Sequence, residues 1–384
     1  MNELTPQTPE ELAEALGTAV SRRQTITLCG RSSKRRMGGP IAPSDVTIST
    51  AALHRVLQYE PRDLTISVEA GLSWCELSRL LAEHRQMIPL DPPYGDTATV
   101  GGVIACNSSG PRRRLYGAAR DLVIGAKFAT LEGKLAQSGG MVVKNVAGLD
   151  LGKLLIGSFG TLAALAVVNF KVLPQPVCTR TFLLSLDSAA SALAAGGAIR
   201  KGALLPAALD LLSPAAAARV GREGWLLAVE AGGNPAAIER YARELAALGD
   251  VAALEGPGET AFWKSVQDFT PRFLEAYPAG ATGRVSCTLK ELQAVVESTP
   301  AAVVARAGSG VVYGHFPQAE EAGDWVSTAA ARGWKAVVES APEERKEQLD
   351  LWPAPGSDLD VMTRIKHMLD PDRLLNRGRL YRRI

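Results

Sequence analysis

The sequence predicts an α+β fold in two domains, and three observations carry that prediction. At 384 residues the chain is too long for one ordinary core. Its halves are patterned differently: helical and strand-like segments alternate in the first, while alanine-rich helices separate single strands in the second, as in an antiparallel sheet. Between them Pro174-Gln175-Pro176 reads as a linker. The expected division is 1–175 and 177–345, with 346–384 as a C-terminal segment.

In chain order, Thr8-Pro9-Glu10-Glu11 is a capping box with proline at the first helical position, and Leu12, Leu16, Ala19 and Val20 share one face of the helix that follows. A strand over 25–29 runs into a glycine- and cation-rich loop, GRSSKRRMGGP, over 30–40. Strands are expected at 46–49 and 64–69, and Ser73 with Glu76 forms a second capping box for a helix around 77–81. After Pro89 comes DPPYGDTATVGG, a loop-rich stretch that a compact core tolerates when it binds something. Strands over 122–130 and 134–137 flank the turn Glu132-Gly133, and a β-rich run from 160 to 173 closes the half. Beyond the linker, strands fall at 180–186, 224–231, 303–306 and 310–315, with helices at 188–199, 235–247 and 318–331. Asp358 caps a last helix running to Met368, which Asp370-Pro371 stops before LLNRGRLY.

Composition narrows function before any motif does. With 46% apolar and 21% charged residues the chain is globular, and 42 basic against 40 acidic side chains leave a net charge of +2. That gives no field for nucleic acid or anionic membrane. The cluster of Arg112, Arg113, Arg114 and Arg120 is first a solvated face and second a subunit-docking patch. The five cysteines are scattered, odd in number and never spaced as CxxC, so neither a disulfide framework nor a cysteine-ligated iron–sulfur cluster is expected. The four histidines are equally isolated, and no metal site is expected. The N-terminus lacks the basic start and apolar run of a signal peptide, and the most apolar stretch, 154–170, is short and broken by glycines. A cytoplasmic protein without a transmembrane segment is expected, peripheral to the inner membrane only through partners.

Three segments carry the chemistry. A strand ending in Gly30-Arg31-Ser32-Ser33-Lys34 can present successive N–H groups, hydroxyls and charge to phosphate oxygens. Read alone it is a solvated basic turn, since it matches neither GxGxxG nor the P-loop. Thr99-Val100-Gly101-Gly102 and Asn107-Ser108-Ser109-Gly110 could bring backbone close to a flat or phosphorylated ligand, or be merely tight turns. Lys144 in GGMVVKNVAGLD could hold a negative charge or simply reach the surface, the latter being the better reading of the segment by itself. Phe262, Trp263 and Trp325 read as core, with an interface anchor as the alternative.

Taken together, GRSSKRRMGG, DPPYGDTATVGGVIACNSSGPRRRLYGAARD, GGMVVKNVAGLDLGKLLIGSFGTLAAL and LDPDRLLNRGR resemble the two-subdomain, PCMH-type FAD-binding domain of the vanillyl-alcohol-oxidase superfamily. Within it the resemblance is to the FAD-binding (E) subunits of bacterial glycolate oxidase. It covers most of 1–175 and the last 30 or so residues; the middle resembles the family's α+β cap domain loosely. The resemblance implies non-covalent FAD, a small 2-hydroxy acid substrate, and two partners, a catalytic flavoprotein subunit and an iron–sulfur subunit. It implies that Gly30, Arg31, Ser32, Ser33 and Lys34 form the pyrophosphate loop, that Thr99, Val100, Gly101 and Gly102 line the pyrophosphate and ribityl chain, and that Pro92 is a further cofactor-binding residue. Asn107, Ser108, Ser109 and Gly110 would lie by the isoalloxazine, Gly160, Thr161 and the strand through Val167 by the ribose and adenine, and Asn376 would bring the tail back to the flavin, with Lys144 a further cofactor-binding residue.

The chain also departs from the family. Leu149 stands for a tyrosine, Phe159 for an acidic residue and Arg377 for a proline; the loop 30–40 has no histidine for a covalent flavin bond. His315 is the lone histidine where catalytic relatives carry a histidine-rich metal motif. No catalytic residue is assigned. The alternatives are a self-sufficient FAD oxidoreductase on a small alcohol or hydroxy acid, with Arg284 clamping the carboxylate, and a structural subunit with a degenerate flavin site.

Overall fold

The computed structural model describes residues 2–141 and 150–384; Lys144 and Leu149 lie outside them. It divides into two compact units, the first comprising Met1–Ser109, Gly117–Gln175 and Pro355–Ile384, the second Gly110–Tyr116 and Pro176–Ala354. The C-terminal return therefore starts at Pro355, later than residue 346, and a short piece of the expected first domain belongs to the second unit.

The first unit opens with β1 (Asn2–Leu4), α1 (Pro9–Ser21), β2 (Ile26–Cys29) and β3 (Val46–Ser49). The strands form a parallel sheet in the order β1-β3-β2. Thr8 caps α1 by accepting from Glu11 N–H at 3.1 Å, while the Glu11 carboxylate reaches back to Gln7 N–H. The buried stripe of α1, Leu12, Ala13, Leu16 and Ala19, meets Ile26, Val46 and Ile48 of the sheet. Next come β4 (Val56–Glu60), β5 (Thr65–Glu69), α2 (Trp74–Glu83), β6 (Gln86–Met87), α3 (Val100–Ala105), β7 (Val123–Ala129), β8 (Leu135–Gly139), β9 (Ala164–Lys171) and β10 (Leu173–Pro174). Five of these strands build an antiparallel sheet, β4-β5-β9-β7-β8. Central β9 is apolar nearly throughout because both its faces are covered. Leu165, Val168 and Phe170 join the core under α2 and α3, and Ala164, Ala166 and Val167 the core under α1. Ser73 precedes α2 as expected but makes no side-chain cap; it forms a bridge with Thr99 instead.

The second unit holds β11 (Cys178–Leu186), β12 (Ala208–Leu212), β13 (Trp225–Gly233), β14 (Asp250–Leu254), β15 (Ala281–Ser286), β16 (Ala302–Arg306), β17 (Val311–Phe316) and β18 (Lys335–Ser340). They form one antiparallel sheet, β14-β11-β13-β12-β16-β17-β15-β18. Side chains alternate between its faces. Phe182, Leu184, Leu227, Val229, Val303 and Ala305 pack beneath the helices Ala189–Lys201, Pro235–Ala246 and Ala319–Ala331. Leu183, Leu226, Ala228, Ala302 and Val304 pack beneath Gly256–Gln267 and Phe269–Ala276. Phe262, Trp263 and Trp325 are core residues here.

Candidate functional site

In the first unit a cleft of about 520 Å³ opens where β2 ends, within the size range of small-molecule sites. Its walls come from the loop after β2, the start of α3, the turn Ser158-Phe159-Gly160 and the C-terminal tail. Each wall is held by identifiable contacts. Thr99 caps α3, its hydroxyl accepting from Gly102 N–H at 3.2 Å. Gly30 lies so close to this cap that a Cβ there would sit 2.5 Å from the Thr99 hydroxyl. Gly101 leaves no room for a Cβ either, with Ala70 Cβ 2.9 Å away. Ser32 turns at a left-handed φ of 55°, and the N–H groups of Arg31, Ser32 and Ser33 find no acceptor among the described residues. Left-handed turns of this kind build the backbone nests that gather N–H groups around an anion.

The lining has a marked charge asymmetry. Arg31, Lys34, Arg35 and Arg379 contribute to it, and no aspartate or glutamate does among the described residues. Lys34 is 7% exposed, its ammonium 5.9 Å from the centre of the Tyr94 ring. Apolar groups line it as well, Leu28, Ile41, Ala42, Pro43, Ala163, Leu165 and Phe159. The Ser44 hydroxyl also lines the cleft, buried and without a hydrogen-bond partner among the described residues. Such a cleft suits a ligand that is anionic in one part and flat or apolar in another.

The tail completes it. Asn376 spends its whole side-chain amide on structure: the carbonyl accepts from Leu28 N–H at 2.7 Å, and the NH2 donates to Leu28 O at 3.1 Å and Phe159 O at 2.9 Å. Arg379 donates to the carbonyls of Gly39 and, at 2.6 Å, of Met37, bracing the loop after β2. Behind them Lys366, at 2% exposure, donates to Thr161 O, Leu375 O and the Asp370 carboxylate, all within 2.9 Å.

Gly30, Arg31, Ser32, Ser33, Lys34, Thr99, Gly101, Gly102, Gly160 and Asn376 thus share one cleft. Other expected residues do not line it. Val100 and Val167 are buried core side chains, because helical and strand geometry turns them away from their lining neighbours. Thr161 is fully buried, its hydroxyl donating to Ser158 O. Pro92 is buried outside the lining. Asn107, Ser108, Ser109 and Gly110 follow Ala105 and Cys106, which do line the cleft, but are not part of it themselves. Lys144 lies outside the described residues. Sequence reading missed Ile41, Ala42, Pro43 and Ser44, which carry no motif; their signal was position alone, just past a loop that ended the prediction at Pro40. Cys29 lines the cleft too, and burial pushes its thiol up, so it stays protonated at neutral pH.

In the second unit, His315 is 1% exposed. Its Nδ1–H donates to Ala302 O at 3.1 Å, which leaves Nε2 to accept from the Thr270 hydroxyl at 2.9 Å. Burial, with lesser repulsion from Arg306 and Arg219, depresses its pKa to about 3. Arg284 donates to Glu339 at 2.9 Å and to Ser286 at 3.2 Å.

Residues 3–139 match the family described as FAD binding domain, which supports FAD as the cofactor of this chain. Over 168 residues the chain is 37% identical to glycolate oxidase subunit GlcE of Escherichia coli (strain K12), across 44% of this chain and 47% of that protein. It is 28% identical over 211 residues to glycolate oxidase subunit GlcD of Bacillus subtilis (strain 168), across 54% and 44%. The chain thus aligns with about half the length of these curated relatives. Among solved structures, p-cresol methylhydroxylase with substrate bound superposes with a TM-score of 0.77 at 14% identity, over 98% of this chain and 88% of that one. Alkyldihydroxyacetonephosphate synthase gives 0.73 at 17%, over 97% and 75%. At these identities the likeness is one of fold, and it confirms the α+β class. No helix of the described residues is long and apolar enough to cross a membrane.

Proposed function

We propose that this chain, whose residues 3–139 match the FAD binding domain family, is the FAD-binding subunit of a glycolate-oxidase-type complex. It would pass electrons from a small 2-hydroxy acid, or from a partner flavoprotein, toward an iron–sulfur subunit. The observation that carries the reading is the cleft, with four cations, no described carboxylate and walls cut back by Gly30, Gly101 and Gly102. Bound there, FAD supplies two-electron redox chemistry, and the protein supplies binding, orientation and electrostatics.

Arg31, Lys34 and the N–H groups after β2 meet the pyrophosphate charge, Thr99 holds the start of α3 against that loop, and Asn376 and Arg379 keep the tail in place beside it. Attachment is non-covalent, because the loop 30–40 has no histidine and Cys29 stays a thiol. The relatives, two glycolate oxidase subunits, support the substrate class and a multisubunit setting. The scattered cysteines support an electron exit through a cluster on another chain. His315 and Arg284 weigh against a self-contained dehydrogenase. The histidine is buried and neutral in a hydrogen-bonded socket, and the arginine already serves Glu339.

The test is a visible spectrum of the desalted chain, before and after anaerobic glycolate or D-lactate. Flavin bands near ~450 nm are expected to persist with the chain alone and to bleach once partner subunits are added. Bleaching by the chain alone would replace this reading with a self-sufficient oxidoreductase. A colourless protein that takes up no added FAD would overturn the cofactor assignment.

A further inference from the structure

Phe159 has a backbone conformation that a bulky side chain rarely adopts, with a φ of 53°. Its surroundings hold it there. Phe159 N–H donates to Ala105 O at 2.8 Å, and Phe159 O accepts from Asn376 Nδ2 at 2.9 Å. The ring is fitted rather than loose: a Cβ on Gly38 would lie 2.9 Å from its Cε1, and the Arg379 guanidinium sits 5.6 Å from its centre. Arg379 is fixed in turn by the Met37 and Gly39 carbonyls. The ring is only half-buried, and it is the single aromatic side chain among the described residues lining the cleft. Strain maintained by several independent contacts is characteristic of ligand-holding positions.

We propose that Phe159 is a stacking platform for a flat heteroaromatic ring of the bound dinucleotide, and so a determinant of which nucleotides the cleft accepts. The inference rests on the FAD reading of the cleft. A ring packed at its edge against Gly38 and covered over one face by the Arg379 guanidinium is pre-organised, its half-buried remainder lining the cleft, while the cations of the loop after β2 hold the charged part of the ligand. Adenine and isoalloxazine share this chemistry, and their separate contributions are measurable.

The test titrates the full-length apo chain and its Phe159→Leu and Phe159→Trp variants with FAD, FMN and ADP by calorimetry. Phe159→Leu is expected to weaken FAD by about tenfold or more, the scale of base–aromatic stacking, while Phe159→Trp retains binding. Loss for FAD and ADP with FMN unchanged identifies adenine as the stacked ring; loss for FAD and FMN with ADP unchanged identifies the isoalloxazine. Equal affinities of folded Phe159→Leu and the natural chain for all three ligands overturn the inference and leave the FAD reading standing. A natural chain that binds none of the three overturns both. Should Phe159→Leu not fold, Phe159→Trp decides: quenching of its added tryptophan emission by a bound nucleotide, beyond that of the natural chain, supports stacking, and equal quenching refutes it.

Discussion

A histidine whose two ring nitrogens are both engaged inside a core has reason to stay neutral, and His315 lies between Phe269 and Phe273, its ring centre 4.6 Å from that of Phe269. Its folded pKa of about 3 lies below the ordinary 6.5. Between those values the unfolded chain binds a proton that the folded chain refuses, so stability is full above the window and declines as pH falls through it, by about 1.4 kcal/mol per unit. Denaturant melts at pH 7.5 and 5 should show this slope, and His315→Asn, which can satisfy similar partners without titrating, should flatten it. An unchanged slope would mean that another group sets the acid sensitivity. At this scale the sequence was legible where side-chain type decides: the glycines, serines and cations of the loop after β2 line one cleft with Thr99, Gly101 and Gly102. It was illegible where direction decides. Val100 and Gly101 are neighbours, yet one faces the core and the other the cleft, and only the helix phase separates them.

The C-terminal helix, Asp358–Leu369, acts on the cleft through the chain that follows it. Lys366 and Asp370 form a buried ion pair at 2.6 Å, and Asp370 also accepts from the N–H groups of Leu374 and Leu375 at 2.9 Å. The pair thereby sets the path that runs beside Ile26 and delivers Asn376 and Arg379. Removing one partner of a buried pair leaves the other charge uncompensated, a cost of about 3–5 kcal/mol. Lys366→Met should therefore destabilise the protein by about that much in urea melts and weaken FAD binding together with it. A variant as stable as the natural chain would show that the tail is held elsewhere. Strands with alternating or long apolar runs, such as β3 and β9, were readable from sequence, as were helices with caps such as α1. The strand β12 was not read, because ALDLL is buried on both faces and shows no period of two. Its neighbours in space, β13 and β16, define it, and β16 is some 90 residues further along the chain.

At the scale of the whole chain, the two units are not two consecutive stretches. Gly110–Tyr116 leaves the first unit and lies in the second, where Arg112 grips the buried Glu230 through Nε at 3.0 Å and Nη2 at 2.6 Å. Arg114 crosses Gly308, where a Cβ would collide with its stem, and donates to Pro206 O at 3.0 Å. Sequence reading saw Arg112 to Arg114 as a solvated basic patch because a run of three arginines carries no sign of its partners. Glu230 and Gly308 lie far along the chain. The arrangement makes the cost of one substitution depend on context. In the full chain Glu230→Gln exchanges a bidentate ion pair for a weaker hydrogen bond and should lower stability by about 1–3 kcal/mol. In a fragment of residues 176–354 the Arg112 guanidinium is absent, so the same substitution has no such pair to lose and should cost markedly less. Urea melts of the four proteins supply the comparison. An equal loss in both backgrounds would show that the second unit satisfies Glu230 by itself. The short segment would then be a passenger, and only a smaller loss in the fragment supports the view that the second unit depends on a piece of sequence from within the first.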